Sequence, residues 1–183
     1  MIVRICIDPG HSGPAEPGAC AGGLTEAEVN LAIALLVGGK LASQGHDVIY
    51  TRSQAITDDG LAFRAAIAND AGAHRFVSIH CNGSTNTSVR GMEVFCYPFS
   101  LTGQRLAEAI CRELAAAAYT ENRGVKEDDF AVLRLTDMAA VLVECAFLSS
   151  AQDRAVLASA AGRELIATAI VRGIAATDES LSC

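Results

Sequence analysis

Short apolar runs alternate along this chain with longer segments in which apolar residues recur every three or four positions. Runs of about four to eight residues that are rich in branched and aromatic side chains are typical of β-strands. The candidate strands are Val3–Asp8, "HDVIYTR", Arg75–His80, Gly91–Tyr97, "FAVLRL" and "AVLVECAFL". We therefore predict a sheet of about six strands.

The first helical segment begins at Thr25, which opens the capping box "TEAE". The apolar residues that follow have helical spacing: Val29, Ile33, Leu36, Val37 and Leu41. Gly45 is a typical residue to end such a helix. Further helices are predicted over Gly60–Asp70, Leu101–Ala118 and Gly162–Ala175, together with a short helix capped by Ser150.

The alternation of strands with helices predicts the fold class. It indicates βαβ units and hence an α/β fold, with an open, mainly parallel or mixed sheet flanked by helices on both faces. We expect one catalytic domain over residues 1–176 and a frayed tail over residues 177–183.

Composition and charge narrow the classes of partner. Hydrophobic residues make up 51% of the 183 residues and charged residues 19%, which is enough apolar material for a continuous core. The formal net charge is −7 and there is no Lys/Arg cluster, so we expect no nucleic-acid partner. No run approaches the ~20 apolar residues of a membrane span. No signal peptide is evident at the start of the chain, and we favour a monomer.

Seven cysteines are present, an odd number without CxxC spacing. This pattern favours buried thiols over a disulfide framework. Cys81 and Cys145 directly follow two candidate site residues, but adjacent side chains of a strand point to opposite faces. We therefore do not expect either cysteine to bind a metal.

Ionisable side chains stand at the ends of three apolar runs: His11, His80 and Glu144. Ligand sites of open α/β sheets lie beyond the carboxyl ends of the strands, so these side chains are expected to meet at one edge. A single histidine at a strand end is more often structural, but two at the same edge favour a metal site. His46 and His74 precede strands, and we expect them on the surface at the opposite edge.

Glu26 is the third candidate ligand. An acid in the first turn of a helix is also explained by the helix dipole, but Glu28 already completes the capping box. An inward carboxylate needs a cation or several hydrogen-bond donors beside it, and a metal would supply the cation. Two histidines and one carboxylate with an open fourth position are typical of hydrolytic zinc enzymes.

Such a site needs a general base that does not bind the metal, and Glu144 is the candidate. Burial in an apolar run is expected to raise its pKa. The alternative is a structural glutamate that is bonded to a backbone amide or an arginine.

An ordered set of motifs resembles a known family. The motifs are "DPGH", "LTEAEVNL", "TR", "LAFRAAIAN", "FVSIHCN", "RGMEVFCY", "NRG", "FAVLR" and "VLVECAFLSS". Together they resemble the zinc-dependent N-acetylmuramoyl-L-alanine amidases, the amidase_3 family of cell-wall hydrolases, over Ile5 to about Ile174. The resemblance implies one Zn²⁺ bound by His11, Glu26 and His80, with Glu144 as the catalytic glutamate.

The same resemblance implies a substrate and a place of action. The family cuts the amide between the lactyl group of N-acetylmuramic acid and the L-alanine of the stem peptide, so peptidoglycan or muropeptides are the expected partners. Action at the bacterial cell wall is expected, either as a phage-type endolysin without its own signal peptide or as a trimmed domain of an exported autolysin. The alternatives are a non-catalytic binder of the same fold and a zinc carboxypeptidase.

Three further residues are weaker candidates for substrate binding. Asn82 borders the expected site, and Arg64 and Arg90 are candidates to pair with substrate carboxylates. For each arginine, a salt bridge between a helix and a loop is an equal alternative. For Glu93, which alternates with apolar neighbours, we expect exposure to solvent or a place behind the reacting groups.

Overall fold

A six-stranded mixed sheet forms the centre of the molecule. The computed structural model describes residues 2–57 and 60–179. The strands are β1 (Arg4–Pro9), β2 (Cys20–Ala21), β3 (Leu24–Thr25), β4 (Asp47–Tyr50), β5 (Arg75–Asn82), β6 (Met92–Cys96), β7 (Asn122–Glu127) and β8 (Ala139–Phe147). The helices are α1 (Glu26–Ser43), α2 (Leu61–Asp70), α3 (Leu101–Ala116), α4 (Ala131–Arg134), α5 (Ala151–Ala158) and α6 (Ala160–Glu179).

The strands of the main sheet run in the order β4-β1-β5-β8-β6-β7. The neighbouring pairs β4/β1, β1/β5 and β5/β8 are parallel. Strand β6 is antiparallel to β8, and β7 is parallel to β6. Strands β2 and β3 form a separate antiparallel pair within the loop that precedes α1. The predicted α/β fold with about six strands and helices on both faces is confirmed.

Side chains of the central strands alternate between two apolar layers. In β5, Val77 and Ile79 pack in a large cluster with α1, α3 and α6, whereas Phe76 packs in a smaller cluster with α2 and α4. Because successive side chains of a strand face opposite sides, His80 shares the face of Phe76. Glu144 is paired with His80 across β5 and β8 and shares that face. The side chains of His80 and Glu144 therefore both point to the face of the sheet that has the smaller apolar cluster.

One strand was predicted at the wrong place. The run Phe130–Leu135 forms the single-turn helix α4, in which the chain neighbours Val132 and Leu133 are both buried in the same cluster. A helical turn permits this and an alternating strand does not. The Thr136 hydroxyl lies 3.1 Å from the carbonyl oxygens of both residues and closes the turn. The sixth strand is β7 instead, a polar strand at the sheet edge.

The helix caps follow the sequence closely. The Thr25 hydroxyl accepts a hydrogen bond from the backbone N–H of Glu28 (3.3 Å) and donates to its carboxylate (2.9 Å). Ser150 caps α5 by accepting from the backbone N–H of Asp153. Both predicted caps are confirmed, and the first of them fixes where Glu26 begins α1.

The last helix, α6, begins earlier and ends later than predicted. Residues 177–179, which were assigned to the tail, are helical, and residues 180–183 lie outside the described residues. The division of the chain at residue 176 into a catalytic domain and a tail stays a prediction.

The side chains that the sequence excludes from the metal site lie at the opposite edge or on the opposite face of the sheet. His74 is exposed and His46 half-buried, each just before a strand that runs toward the site edge. Cys81 and Cys145 are buried in the large cluster, on the opposite face from His80 and Glu144. Within the described ranges, none of the helices combines the length and apolarity that crossing a bilayer requires.

Candidate functional site

Three side chains from separate segments meet at the carboxyl edge of the parallel strands. His11 follows β1, His80 lies near the end of β5, and Glu26 is the first residue of α1. Each offers one ligand atom, and these atoms lie within 4.8 Å of one another. Two imidazole nitrogens and a carboxylate oxygen are a donor set that suits zinc. The structure thus brings together the three residues that the sequence predicts as metal ligands.

The Glu26 carboxylate is buried at the centre of this group, with 5% of the residue exposed. Its Oε2 lies 3.0 Å from His11 Nε2 and accepts from the backbone N–H of Ala19 (2.9 Å). Its Oε1 lies 3.0 Å from His80 Nδ1 and accepts from the backbone N–H of Cys81 (3.2 Å). Burial favours a raised pKa, but the two imidazole hydrogen bonds outweigh it and hold the pKa of Glu26 below its ordinary value.

The two imidazoles have raised pKa values in the metal-free protein. The hydrogen bond to Glu26 raises the pKa of His11 to about 9, although burial opposes the shift. Burial also favours a lower pKa for His80, but the hydrogen bond to Glu26 and the charge of Glu144 outweigh it and raise the pKa. A divalent cation would replace these protons, because only a neutral imidazole nitrogen donates a lone pair to a metal.

Glu16, which no pattern in the sequence singles out, lies behind His11. Its Oε1 lies 2.6 Å from His11 Nδ1, on the opposite side of the ring from Glu26. A proton held at Nδ1 leaves Nε2 free to bind an ion, an arrangement common behind metal-binding histidines. The only signal in the sequence is an acid five residues after the histidine in a Gly/Pro-rich loop. This spacing has neither helical nor strand periodicity to interpret.

Two glycines of the same region make room for the ligand side chains. A Cβ at Gly10 would lie 2.2 Å from His80 Nε2, and one at Gly18 would lie 2.5 Å from Glu26 Oε2. Gly18 also has a φ of 68°, a region that side chains rarely adopt. The loop after β1 can therefore close tightly over the three ligands only with glycine at these positions.

Arg64, a predicted substrate contact, lies beneath the loop that carries His11 and is only 3% exposed. Its Nη1 donates to Asp8 Oδ1 (3.0 Å), and its Nη2 donates to the carbonyl oxygen of His11 (3.0 Å). The carboxylate of Asp8 also accepts from the hydroxyls of Thr51 and Ser78, each at 2.6 Å. The ion pair joins α2 to strand β1 rather than to a loop, and the bond to His11 supports a backbone whose φ is 61°. A substrate role for Arg64, which also lines the cavity beside Glu144, stays a prediction.

Glu144 lies beside the three ligands without binding to any of them. No hydrogen bond or ion pair to its carboxylate occurs among residues 2–57 and 60–179, and its Oε2 is buried. The backbone-amide or arginine partner of the structural alternative is therefore not found there. Burial raises the pKa of Glu144 to about 7, although protonated His80 opposes the shift. A carboxyl group in this range can accept and return a proton near neutral pH.

A cavity of about 410 Å³ opens in front of Glu144. His11 and His80 line it on one side, and Leu61, Phe130 and Leu142 line it with apolar side chains. A second cavity, of about 530 Å³, lies at the opposite edge of the sheet, beside His74 and Met138. The second cavity is larger, but it contains none of the residues of the candidate metal group.

The other two predicted substrate contacts have partners within the protein. The Asn82 amide donates to Glu93 Oε1 (2.8 Å), so Asn82 stands next to the site but is held by a neighbouring strand. Arg90 Nε lies 3.3 Å from a carboxylate oxygen of Glu121, and Arg90 Nη1 contacts Gln152. The ion pair of Arg90 joins two loops, and a substrate role for Asn82 or Arg90 stays a prediction.

Glu93 is buried rather than exposed to solvent, which the sequence analysis left open. It lies opposite Glu144 in the antiparallel pairing of β6 with β8. Burial favours a higher pKa, but the ion pairs with Lys126 and Arg123 outweigh it, and the pKa of Glu93 is lowered. Neither cation was selected from the sequence, because the "NRG" segment that begins β7 was not interpreted as a strand.

Comparison with known proteins gives the context of this geometry. Residues 5–176 match the family model Amidase_3, described as N-acetylmuramoyl-L-alanine amidase. The chain is 41% identical to the N-acetylmuramoyl-L-alanine amidase LytC of Bacillus subtilis (strain 168), over 84% of this chain and 31% of LytC. It is 33% identical to the endolysin of Bacillus phage SPP1, over 86% of this chain and 59% of the endolysin. The chain thus spans about a third of LytC and less than two thirds of the endolysin.

Solved structures share the whole fold. The N-acetylmuramoyl-L-alanine amidase AmiC2 of Nostoc punctiforme has a TM-score of 0.90 and 34% identity, and the alignment covers 97% of each chain. The N-acetylmuramoyl-L-alanine amidase of Clostridium difficile 630 has a TM-score of 0.92 and 29% identity, with 98% of each chain covered. The family match, the sequence relatives and these structures show that the chain belongs to the Amidase_3 family of N-acetylmuramoyl-L-alanine amidases.

Proposed function

We propose that this chain hydrolyses the amide between the lactyl group of N-acetylmuramic acid and the L-alanine that begins the peptidoglycan stem peptide. One Zn²⁺ is held by His11, Glu26 and His80, and Glu144 is the general base. A single observation carries the proposal. Three potential ligand atoms lie within 4.8 Å of one another. Glu144, whose carboxyl group has no partner among the described residues, lines the cavity that His11 and His80 also line.

The chemistry of the ligand group fits zinc. Glu26 is a buried anion between two imidazoles, and a divalent cation would balance its charge in place of the protons that the imidazoles carry in the metal-free protein. Neutral imidazole and carboxylate are ordinary ligands of Zn²⁺, and three of them leave a position open. When bound there, zinc would supply Lewis acidity, which polarises an amide carbonyl and lowers the pKa of water.

The residues of the chain account for the movement of the proton. Glu144 takes a proton from the attacking water and passes it to the L-alanine nitrogen as the amide breaks. Its raised pKa lets it hold the proton between these two steps. The apolar side chains of Leu61, Phe130 and Leu142 border the same cavity and limit competing water.

Glu16→Gln is expected to weaken zinc binding by about 10- to 100-fold, because an uncharged amide holds the proton on His11 Nδ1 less firmly than a carboxylate. Competition with a chromophoric chelator measures the affinity. Glu164→Gln is the matched control, since Glu164 is about as exposed as Glu16 and also has one ion-pair partner, Lys40. Equal zinc affinities of the two variants would contradict this role of Glu16.

Zinc binding at pH 7 is expected to release protons. The pKa of His11 is about 9 in the metal-free protein, so its ring is protonated at pH 7 and must lose that proton to bind the ion. Because His80 also has a raised pKa, zinc affinity should rise with pH until both imidazoles have lost their protons. Calorimetry in buffers of different ionisation enthalpy counts the released protons. Binding enthalpies that do not depend on the buffer at pH 7 would contradict this charge state.

We place the activity at the bacterial cell wall, with peptidoglycan or muropeptides as substrate and a monomer as the working form. A single chain provides all four side chains of the proposed centre, which supports a monomer. The relatives include both a bacterial N-acetylmuramoyl-L-alanine amidase and a phage endolysin, which supports action at the cell wall.

Mass spectrometry of the products tests the proposal. Zinc-loaded protein incubated with purified peptidoglycan should produce stem peptides with a new free L-alanine amino terminus and glycan with free lactyl carboxyl groups. Release of a C-terminal residue from the stem would indicate a zinc carboxypeptidase instead. Intact peptidoglycan after prolonged incubation would indicate a non-catalytic binder.

A further inference from the structure

A cluster of polar side chains lies one strand away from Glu144. Glu93, directly opposite Glu144 in the strand pairing, is 4% exposed. Its Oε2 lies 2.8 Å from Arg123 Nε and also contacts Lys126 Nζ, and both cations come from the edge strand β7. The side chains of Arg123 and Lys126 remain 35% and 39% exposed. One buried carboxylate is therefore shared by two cations that reach the surface.

The guanidinium of Arg123 is held in a fixed position. Its Nε donates to Glu93, and its Cζ lies 5.0 Å from the centre of the Phe147 ring. Gly91 makes room for its aliphatic stem, because a Cβ there would lie 2.6 Å from Arg123 Cδ. Its two terminal amino groups have no hydrogen-bond partner among residues 2–57 and 60–179. Such a fixed fork suits the two oxygens of a carboxylate.

The local charge of this cluster is opposite in sign to that of the whole chain. The Asn82 amide donates to Oε1 of Glu93, and Arg123 and Lys126 donate to Oε2. The cluster itself contains one negative and two positive charges, although the formal net charge of the chain is −7. Neutralising Glu93 requires only one cation, so the second is not explained by burial of that carboxylate alone.

We propose that Arg123 and Lys126 form a subsite for a carboxylate of the stem peptide, on the residue that directly follows L-alanine. The inference rests on the proposed function. The sugar side of the scissile bond has no ionised group, because the lactyl carboxyl is itself part of the amide. Only the peptide side offers an anion to these cations.

The distances along the sheet fit this assignment. Neighbouring strands lie about 4.8 Å apart, so the head groups gathered at Glu93 are roughly one strand spacing from Glu144. An extended peptide advances about 3.3 Å per residue. A peptide that leaves Glu144 across β6 therefore brings its next residue to Arg123 and Lys126.

The test uses the Glu144→Gln variant, loaded with zinc, and two synthetic N-acetylmuramoyl dipeptides. The dipeptides differ only in whether the residue after L-alanine has a free carboxylate or a carboxamide. Calorimetry should show about tenfold tighter binding of the carboxylate, a typical effect for a charge-assisted contact at a partly exposed site. Adding Lys126→Gln should reduce this preference to nearly one, and adding Lys126→Arg should retain it.

Two further variants test whether the preference depends on this cluster. Arg112→Gln removes an exposed cation of α3 and should keep the preference at its original value. Arg123→Gln is a second removal that leaves Lys126 to pair with Glu93, so the inference is testable even if one variant fails to fold. Equal affinity for the two dipeptides, or a preference that survives both single removals, would overturn the proposed subsite.

The binding measurement separates this inference from the proposed function. Zinc-loaded parent protein that binds the carboxylate preferentially but cleaves neither dipeptide would refute the amidase activity and leave the anion subsite standing. Cleavage of both dipeptides with equal kcat/KM, together with equal binding, would support the amidase activity and refute the subsite.

Discussion

Glu144→Gln is expected to lower kcat by about 10²- to 10⁴-fold and to leave the zinc content unchanged. Glutamine has the shape of glutamate but cannot accept the proton of the attacking water. Glu144 is not part of the group whose ligand atoms converge, so its replacement should not affect metal affinity. Release of L-alanyl amino termini from purified peptidoglycan measures the rate, and elemental analysis measures the zinc.

The pH dependence of the same variant separates a chemical from a structural role. The pKa of Glu144 is raised in the metal-free protein, and the base works only when it is deprotonated, so parent activity should rise as the pH rises through the pKa of this group. The residual activity of the variant should lack that rise. If the variant retains the parent rate and the same rise of activity with pH, another group is the base.

His80→Ala is expected to lose zinc and activity together. The change removes one of three ligands and leaves the buried Glu26 carboxylate with one imidazole instead of two. Loss of a direct ligand should cost more than the 10- to 100-fold that is typical of groups behind the ligands, so after dialysis we expect less than about a tenth of the parent zinc content.

His74→Ala is the control for this experiment. His74 is exposed at the opposite edge of the sheet, and its ring accepts only the backbone N–H of Arg4 among the described residues. Its replacement should leave the zinc content and the activity at the parent values. Equal zinc content in the two alanine variants would show that His80 is not a ligand.

The sequence predicts most of the fold because the periodic segments are long and regular. Strands β5 and β8 alternate between two apolar layers, and α1 has a capped start, so local pattern and tertiary packing agree. The run Phe130–Leu135 fails because a short apolar run has no period to separate a strand from a helical turn. The sequence does not reveal β7 because its segment, NRGVKE, has a single apolar side chain and hence no alternation to interpret.

Some residues of the candidate site can also be predicted from the sequence and others cannot. His11, His80 and Glu144 are visible in the sequence because ionisable groups within or just after apolar strands break the local apolar pattern. Glu16 and Arg123 are not visible, since each gains its role from a loop or edge-strand contact that no periodicity encodes.

Arg64 is a different case: it lines the cavity beside Glu144, and its role as a substrate contact stays a prediction. Its partner Asp8 lies 56 residues away in the chain. A buried structural arginine therefore looks the same in the sequence as one that is free to meet a substrate.

The most direct test of the account is a crystal structure of the zinc-loaded protein, with anomalous diffraction measured on both sides of the zinc absorption edge. The account predicts one anomalous peak, in contact with His11 Nε2, His80 Nδ1 and a carboxylate oxygen of Glu26, and with Glu144 outside the ligand set. A peak at any other place, or one in which Glu144 replaces Glu26 as a ligand, would contradict it.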